Sequence, residues 1–193
     1  SKKWTHRQNP YSKYSYYFVT RGDNPLTLNT LAAEATTTSI DTVRSYNTID
    51  NDAYSVYPGG REFLDSYDFS SGQSKTYTLH APGAVEGSTA VVDIAFCASS
   101  NLSSTALTTT LNGSSLGTLS VPKYGENESG RIVVSSFTTT NITSTNSIKL
   151  QTNNNNTSRL DYIRLNYTRC LDATDNGYSF CPNISGSVNI SIA

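Results

Sequence analysis

The chain has 193 residues, a formal net charge of -1 and only 15% charged side chains. This balance excludes the broad basic surface that nucleic-acid binding requires. No run approaches the ~18 apolar residues of a membrane-spanning helix. Abundant Thr, Ser and Asn are typical of an exported β-protein. Because the sequence begins at Ser1 and lacks Met, we interpret it as a mature or trimmed piece of a longer polypeptide.

Short segments of alternating polar and apolar residues recur along the chain, with turn-forming residues between them. The most regular one carries Ile163, Leu165 and Tyr167 two residues apart, so these side chains share one face of a half-buried strand, and Arg164 and Asn166 point to the other. The predicted strands are Tyr14–Thr20, Ser39–Thr48, Lys75–Leu79, Ala90–Ala98, Thr108–Leu111, Leu116–Val121, Arg131–Thr139, Ser147–Gln151, Asp161–Thr168 and Ser187–Ile192.

Local signals between the strands predict one hairpin and little helix. Asn112-Gly113 suits a tight turn with positive φ angles. The spacing of Val134 and Phe137 predicts a bend or bulge within its strand. Short helical turns are expected at most within Leu26–Ala35 and Arg61–Tyr67.

Regular strand spacing without internal repeats predicts an all-β fold, a β-sandwich. Within that class we expect the jelly-roll type, similar to galactose-binding and carbohydrate-binding modules. We expect the sandwich to occupy residues 1–171. Residues 172–193 are expected to form a linker and a strand, which either closes the sandwich or begins a further module.

The cysteines and histidines give little indication of catalysis. Cys97 lies in an apolar strand and is expected to face the core as an inert thiol. Neither His6 nor His80 is therefore expected to form a catalytic dyad with it. Cys170 and Cys181 flank a short loop, and a disulfide between them would contribute about 3 kcal/mol; two free thiols are the alternative.

Acidic residues occur in groups that are typical of turns. Neither catalysis nor metal binding is needed to explain them. Asp50–Asp52 and Asp172–Gly177 offer oxygen ligands, but neither has the spacing of a calcium loop, and Asp and Asn are ordinary turn residues. Glu62, Asp65 and Asp68 are expected to form a solvated acidic loop. We therefore predict no metal, no cofactor and no catalytic residue within the chain.

Aromatic side chains are the remaining candidates for ligand binding. The chain has 13 Tyr and one Trp, and exposed rings of this kind can stack on sugars. Trp4 and Tyr57 are the binding candidates, although packing explains most of the tyrosines. The rest of any binding surface stays open at this point.

Three stretches, His6–Thr20, Pro58–Phe63 and Leu160–Arg169, together resemble the N-terminal, non-catalytic region of PorU-like proteins. These are gingipain-type cysteine peptidases that act as sortases in the type IX secretion system of Bacteroidetes. The sequence departs from that pattern at Phe63-Leu64-Asp65, where the family more often has a second aromatic residue followed by Gly-Glu.

The resemblance implies a secreted accessory domain at the cell surface, associated with the outer membrane. The catalytic His and Cys would lie in a downstream peptidase domain. The domain would position that peptidase, or engage type IX secretion components or cargo proteins. The alternatives are a carbohydrate-binding module, with a glycan as ligand, and an adhesin-like surface domain.

Overall fold

The computed structural model describes residues 39–55, 60–126, 128–171 and 189–190. The predicted segments Tyr14–Thr20 and Leu26–Ala35 lie outside these ranges. The elements, in chain order, are β1 (Ser39–Ile40), β2 (Thr42–Asp50), β3 (Tyr54–Ser55), β4 (Phe63–Leu64), α1 (Phe69–Gly72), β5 (Ser74–His80), β6 (Ala90–Ala98), β7 (Thr105–Leu111), β8 (Ser114–Val121), β9 (Arg131–Thr139), β10 (Thr145–Thr152), β11 (Ser158–Cys170) and β12 (Asn189–Ile190).

The eight long strands form two four-stranded antiparallel sheets. Sheet I has the order β2-β11-β6-β9 and sheet II the order β5-β10-β7-β8. Counted along the chain, the first, eighth, third and sixth long strands make sheet I, and the second, seventh, fourth and fifth make sheet II. This double Greek-key order is that of a jelly roll, and it confirms the predicted fold class.

Two short pairings lie beside the sandwich. Strands β3 and β4 form an antiparallel pair, and β1 pairs with β12 in parallel, Ser39 opposite Asn189. The described part of β12 thus joins neither large sheet. The proposed domain boundary at residue 171 stays a prediction.

The core lies between the inner faces of the two sheets. On β11, Ile163, Leu165 and Tyr167 point inward, as their spacing predicted, and pack with Ile94 and Phe96 of β6. All of these side chains are at most 1% exposed. Sheet II contributes fully buried aliphatic residues at alternate positions, among them Leu107, Leu111, Leu119, Ile148 and Leu150.

The outer faces of the two sheets differ sharply. On sheet II, the outward residues of β10 are all exposed. On sheet I, the outward residues Asp93, Ala95 and Cys97 of β6 are at most 3% exposed, and Arg164 and Asn166 of β11 are 4% exposed. The expectation of a half-buried strand is therefore wrong for β11, because its middle is buried on both faces.

The orientation expected for Cys97 is also wrong. Its neighbours Phe96 and Ala98 belong to the core cluster, so the Cys97 side chain points to the outer face of sheet I. It is buried there, and this burial raises the pKa of its thiol to about 11. The thiol is thus expected to be inert because it is buried on the outer face of sheet I, and not because it faces the core.

The hairpin prediction is confirmed: Asn112 (φ 49°) and Gly113 (φ 80°) connect β7 to β8. The bulge that was one alternative for β9 is wrong, because the register of β9 with β6 runs without a shift. The other alternative, a bend, stays a prediction. The helical turn expected within Arg61–Tyr67 is wrong as well. That segment contains β4, and the turn forms later as α1, where Asp68 accepts a hydrogen bond from the Ser70 N–H.

A buried amide joins the loops at the hairpin end of the sandwich. Asn146 is 0% exposed, and its Oδ1 accepts hydrogen bonds from Asn112 Nδ2 at 3.0 Å and from the Thr143 N–H at 2.9 Å. Its Nδ2 donates to the carbonyl oxygens of Thr143 and Leu79. The Asn146 side chain thus accepts two hydrogen bonds and donates two, and it ties the β9–β10 loop to the hairpin and to β5.

One glycine allows β8 and β9, the last described strands of the two sheets, to approach each other. A Cβ on Gly117 of β8 would lie 2.5 Å from Phe137 Cε1 of β9, closer than carbon atoms can approach, and the Gly117 φ is 152°. Phe137 itself packs against the core cluster.

We expect Gly117→Ala to lower the free energy of unfolding by about 1–3 kcal/mol, because the methyl group displaces the Phe137 ring. Urea unfolding of both proteins measures the difference. Gly125→Ala is the matched control, since a Cβ there meets no atom within 4 Å. An unchanged unfolding midpoint for Gly117→Ala would contradict the close approach of β8 and β9.

Candidate functional site

The loop end of the sandwich, defined here as residues 50–55, 60–68, 99–104 and 153–157, carries six charged and three aromatic side chains. Its central acid is Asp65, which is 1% exposed. The Asp65 carboxylate accepts hydrogen bonds from Tyr77 Oη at 2.9 Å, Lys75 Nζ at 3.0 Å and the Tyr67 N–H at 3.0 Å. Burial by itself would raise the pKa of Asp65, but these donors outweigh it and lower the pKa.

Arg159 holds the same segment against β11. Its guanidinium donates to the carbonyl oxygens of Asp65 and Ser66, pairs with Asp68 Oδ2 at 3.3 Å, and lies 3.9 Å from the ring centre of Tyr54. The expectation of a solvated acidic loop is therefore wrong for Asp65 and Asp68. Both acids anchor the loop to the sheets.

A second group of acids meets at the start of β11. Asp161 lies where the register between β11 and β6 shifts, between Leu160 and Tyr162. Burial, followed by the nearby charges of Asp50, Glu62 and Asp52, raises the pKa of Asp161 to about 7. Its carboxyl group thus titrates near neutral pH.

The outer face of sheet I carries a buried ion pair. Arg164 Nη2 lies 2.6 Å from Asp93 Oδ2, with side-chain exposures of 5% and 1%. Ser136 Oγ also donates to the Asp93 carboxylate, and Asn166 Nδ2 lies 3.4 Å from it. One carboxylate thus connects β6, β11 and β9.

Most of the predicted site residues fall outside the part of the chain that the structure describes. These are Trp4, Tyr57 and Cys181, together with His6 and the turn Asp172–Gly177. Cys170 ends β11 with an exposed side chain. The Cys170–Cys181 disulfide therefore stays a prediction.

His80 and Cys97 are far apart. His80 ends β5 at the hairpin end and is exposed, whereas Cys97 lies at the other end of β6, seven residues beyond Ala90. At about 3.3 Å per residue, this places the thiol roughly 20 Å from the hairpin end. The two side chains also belong to different sheets.

Across the described ranges of the chain, no three His, Cys, Asp or Glu side chains are grouped to hold a metal ion. Asp50 and Asp52, which lie in these ranges, therefore belong to no such group. No helix among the same residues is long and apolar enough to cross a membrane.

Comparison with known proteins shows similarity in fold. No family model and no curated protein matches the sequence. The crystal structure of dimeric latent PorU from Porphyromonas gingivalis superimposes with a TM-score of 0.66 and 12% identity, over 81% of this chain. The chain spans only 16% of the length of PorU. The resemblance to PorU-like proteins is thus confirmed at the level of the fold.

Two carbohydrate-binding modules match with lower TM-scores. The CBM35 of Abf62 from Cellvibrio japonicus matches 65% of this chain and 97% of its own length, with 11% identity and a TM-score of 0.44. A family 35 module from an environmental isolate matches 72% of this chain and 90% of its own, with 22% identity and a TM-score of 0.41. Scores below 0.5 support no inference about function.

We expect Asp161 to make the protein less stable as the pH rises. Its folded pKa of about 7 exceeds the ordinary value of 3.8, so the folded state holds the proton more tightly. The stabilisation is complete below pH ~4 and is lost as the pH rises through ~7. Asp161→Asn should therefore gain stability relative to the wild type at pH 8 but not at pH 4.

Chemical unfolding at several pH values measures this difference, and Glu126→Gln, in an exposed loop, is the control. A stability difference between Asp161→Asn and the wild type that is independent of pH would show that Asp161 has an ordinary pKa.

Proposed function

We propose that this chain is a non-catalytic accessory domain of a secreted, surface-associated gingipain-type cysteine peptidase of the type IX secretion sortase kind. The domain positions a downstream peptidase domain or engages cargo proteins and secretion components. The similarity of fold with one segment of PorU, over 81% of this chain, is the observation that carries the proposal.

The chemistry of the described residues supports a scaffolding role. A catalytic thiol needs a depressed pKa and an adjacent base. Cys97 instead has a pKa raised to about 11, and His80 lies at the opposite end of the sandwich. Asp65, Asp68 and Arg159 hold the loop end in place through hydrogen bonds and ion pairs.

A cleavage assay tests the proposal. The 193-residue chain is incubated with a cargo protein that carries a C-terminal sorting signal. Two further samples contain the proposed full-length peptidase, one with and one without these residues. We expect no cleavage by the chain alone and loss of efficient cleavage by the full-length peptidase when the domain is removed. Cleavage by the isolated chain that disappears in Cys97→Ser would contradict the proposal.

A carbohydrate-binding role is the second candidate. It is supported by Tyr54 and Phe63, which are 40% and 36% exposed at the loop end, and it extends the candidate role of Trp4 and Tyr57. One face of the Tyr54 ring is already covered by Arg159. Calorimetric titration with glycans, with Tyr54→Ala and Tyr57→Ala as variants, separates this role from that of a protein-binding scaffold.

A further inference from the structure

A cleft of about 530 Å³ opens between two loops of the sandwich, and we call it the Tyr124 cleft. The loops are residues 99–104, between β6 and β7, and residues 122–130, between β8 and β9. The strand register brings them together, because Ala98 at the end of β6 pairs with Arg131 at the start of β9. The described lining residues are Asn101, Lys123, Tyr124, Gly125, Glu126 and Glu128.

Two hydrogen bonds hold the loops against each other. The Tyr124 N–H donates to the Ser100 carbonyl at 2.9 Å, and Ser99 Oγ donates to the Ser129 carbonyl at 2.7 Å. Ser100 is buried beneath them. The cleft is therefore formed by the fold before any ligand binds, which lowers the cost of ordering its walls.

Glu128 is used to shape the cleft. Its carboxylate accepts hydrogen bonds from the Gly125 N–H at 3.3 Å and from Arg131 Nη2 at 2.8 and 3.0 Å. Its own N–H donates to the Gly125 carbonyl at 3.2 Å. The Gly125 N–H and Arg131 lower the pKa of Glu128, so this group stays ionised and paired with Arg131.

The other polar side chains of the cleft are available to a ligand. In the described part of the chain, the lining side chains that take part in no hydrogen bond or ion pair are those of Asn101, Lys123, Tyr124 and Glu126. They offer an amide, an ammonium group, a phenol and a carboxylate. Tyr124 is half-buried, whereas the other three are exposed. A ligand can therefore bind these groups without breaking a contact among the described residues.

This set of groups matches a neutral sugar ring. The face of the Tyr124 ring can stack against the C–H groups of a sugar, and the amide, ammonium and carboxylate groups together donate to and accept from its hydroxyl groups. Lys123 and Glu126 have opposite charges, and Glu128 is paired with Arg131, so the lining favours no net charge on the ligand. The volume lies within the range of about 300–1,000 Å³ that is typical of small-ligand clefts.

We propose that the Tyr124 cleft binds a neutral sugar ring, which stacks on Tyr124 and forms hydrogen bonds with Asn101, Lys123 and Glu126. The proposal rests on the carbohydrate-binding candidate above for its class of ligand, but it names a different site from the exposed rings of the β3–β4 pair. It does not depend on whether the chain is part of a peptidase.

The test is an NMR titration of the full 193-residue chain with the methyl glycosides of glucose, galactose, mannose and xylose. We expect at least one of them, at millimolar concentration, to shift the amide resonances of Asn101 and of residues 123–126. Sorbitol, which has similar hydroxyl groups but no ring to stack, should not do so. Glucuronate and glucosamine should bind no more tightly than methyl glucoside, because the lining favours no net charge.

Variants of Tyr124 separate stacking from a structural effect. Tyr124→Ala should bind the glycoside about tenfold more weakly, since it removes the stacking surface, whereas Tyr124→Phe keeps the ring and should retain most of the affinity. The backbone hydrogen bond to Ser100 is present in both variants, so the loops should keep their arrangement. Tyr46→Ala, which removes a ring that is 45% exposed on β2, is the matched control and should bind like the wild type.

Absence of shifts with every neutral glycoside would overturn the proposal, and so would undiminished binding by Tyr124→Ala. If Tyr54→Ala loses glycoside binding and Tyr124→Ala keeps it, the carbohydrate-binding role stands but the Tyr124 cleft is not its site. Tighter binding of glucuronate that is lost in Lys123→Gln would overturn the neutral class of ligand. The cleavage assay described above tests the accessory role separately from all of these results.

Discussion

The buried ion pair between Asp93 and Arg164 constrains the rest of the structure. It lies on the outer face of sheet I, where an ordinary sandwich would be solvated, and it joins the two central strands directly. Removing one partner of such a pair typically costs about 3–5 kcal/mol, because the remaining charge stays buried. A shift of one residue in the strand pairing would turn the Asp93 side chain into the apolar core. Because burying that charge there is costly, the ion pair makes the register of β6, β11 and β9 specific.

The loop end depends on that register. Arg159 of β11 lies opposite Cys97 of β6, where both strands reach the loop end. From there its guanidinium reaches the carbonyl oxygens of Asp65 and Ser66 and the carboxylate of Asp68. Polar groups that serve elsewhere as catalytic or ligand-binding groups are here used to hold a surface segment in place. The same strand supplies Tyr167 and Arg169 to a cleft that is also lined by residues 45–48 of β2 and by Pro82. One long strand therefore organises both ends of the sandwich.

The sequence predicted the long strands well, because alternation is a local signal that the strands of sheet II follow closely. The central strands of sheet I, β6 and β11, were recognised by their apolar residues although their burial does not alternate throughout. It did not predict the burial of Asp65, whose partners Tyr77 and Arg159 lie 12 and 94 residues further along the chain. The sequence did contain a signal for the orientation of Cys97. Asp93 lies four residues earlier and therefore on the same face of the strand, and a charged residue indicates that this face is not the core face. The cleft lined by β2, Pro82 and β11 arises from tertiary contacts between these elements, and no sequence motif marks it.

The central claim is that this jelly roll provides shape and buried contacts rather than a reactive group, and the reactivity of Cys97 tests it most directly. The rate of Cys97 alkylation by iodoacetamide is followed across pH by mass spectrometry of the native chain, with the urea-unfolded chain as reference. A thiol buried on the outer face of sheet I, with a pKa of about 11, should stay unmodified at neutral pH until the chain unfolds. Rapid alkylation of native Cys97 near pH 7 would contradict the account.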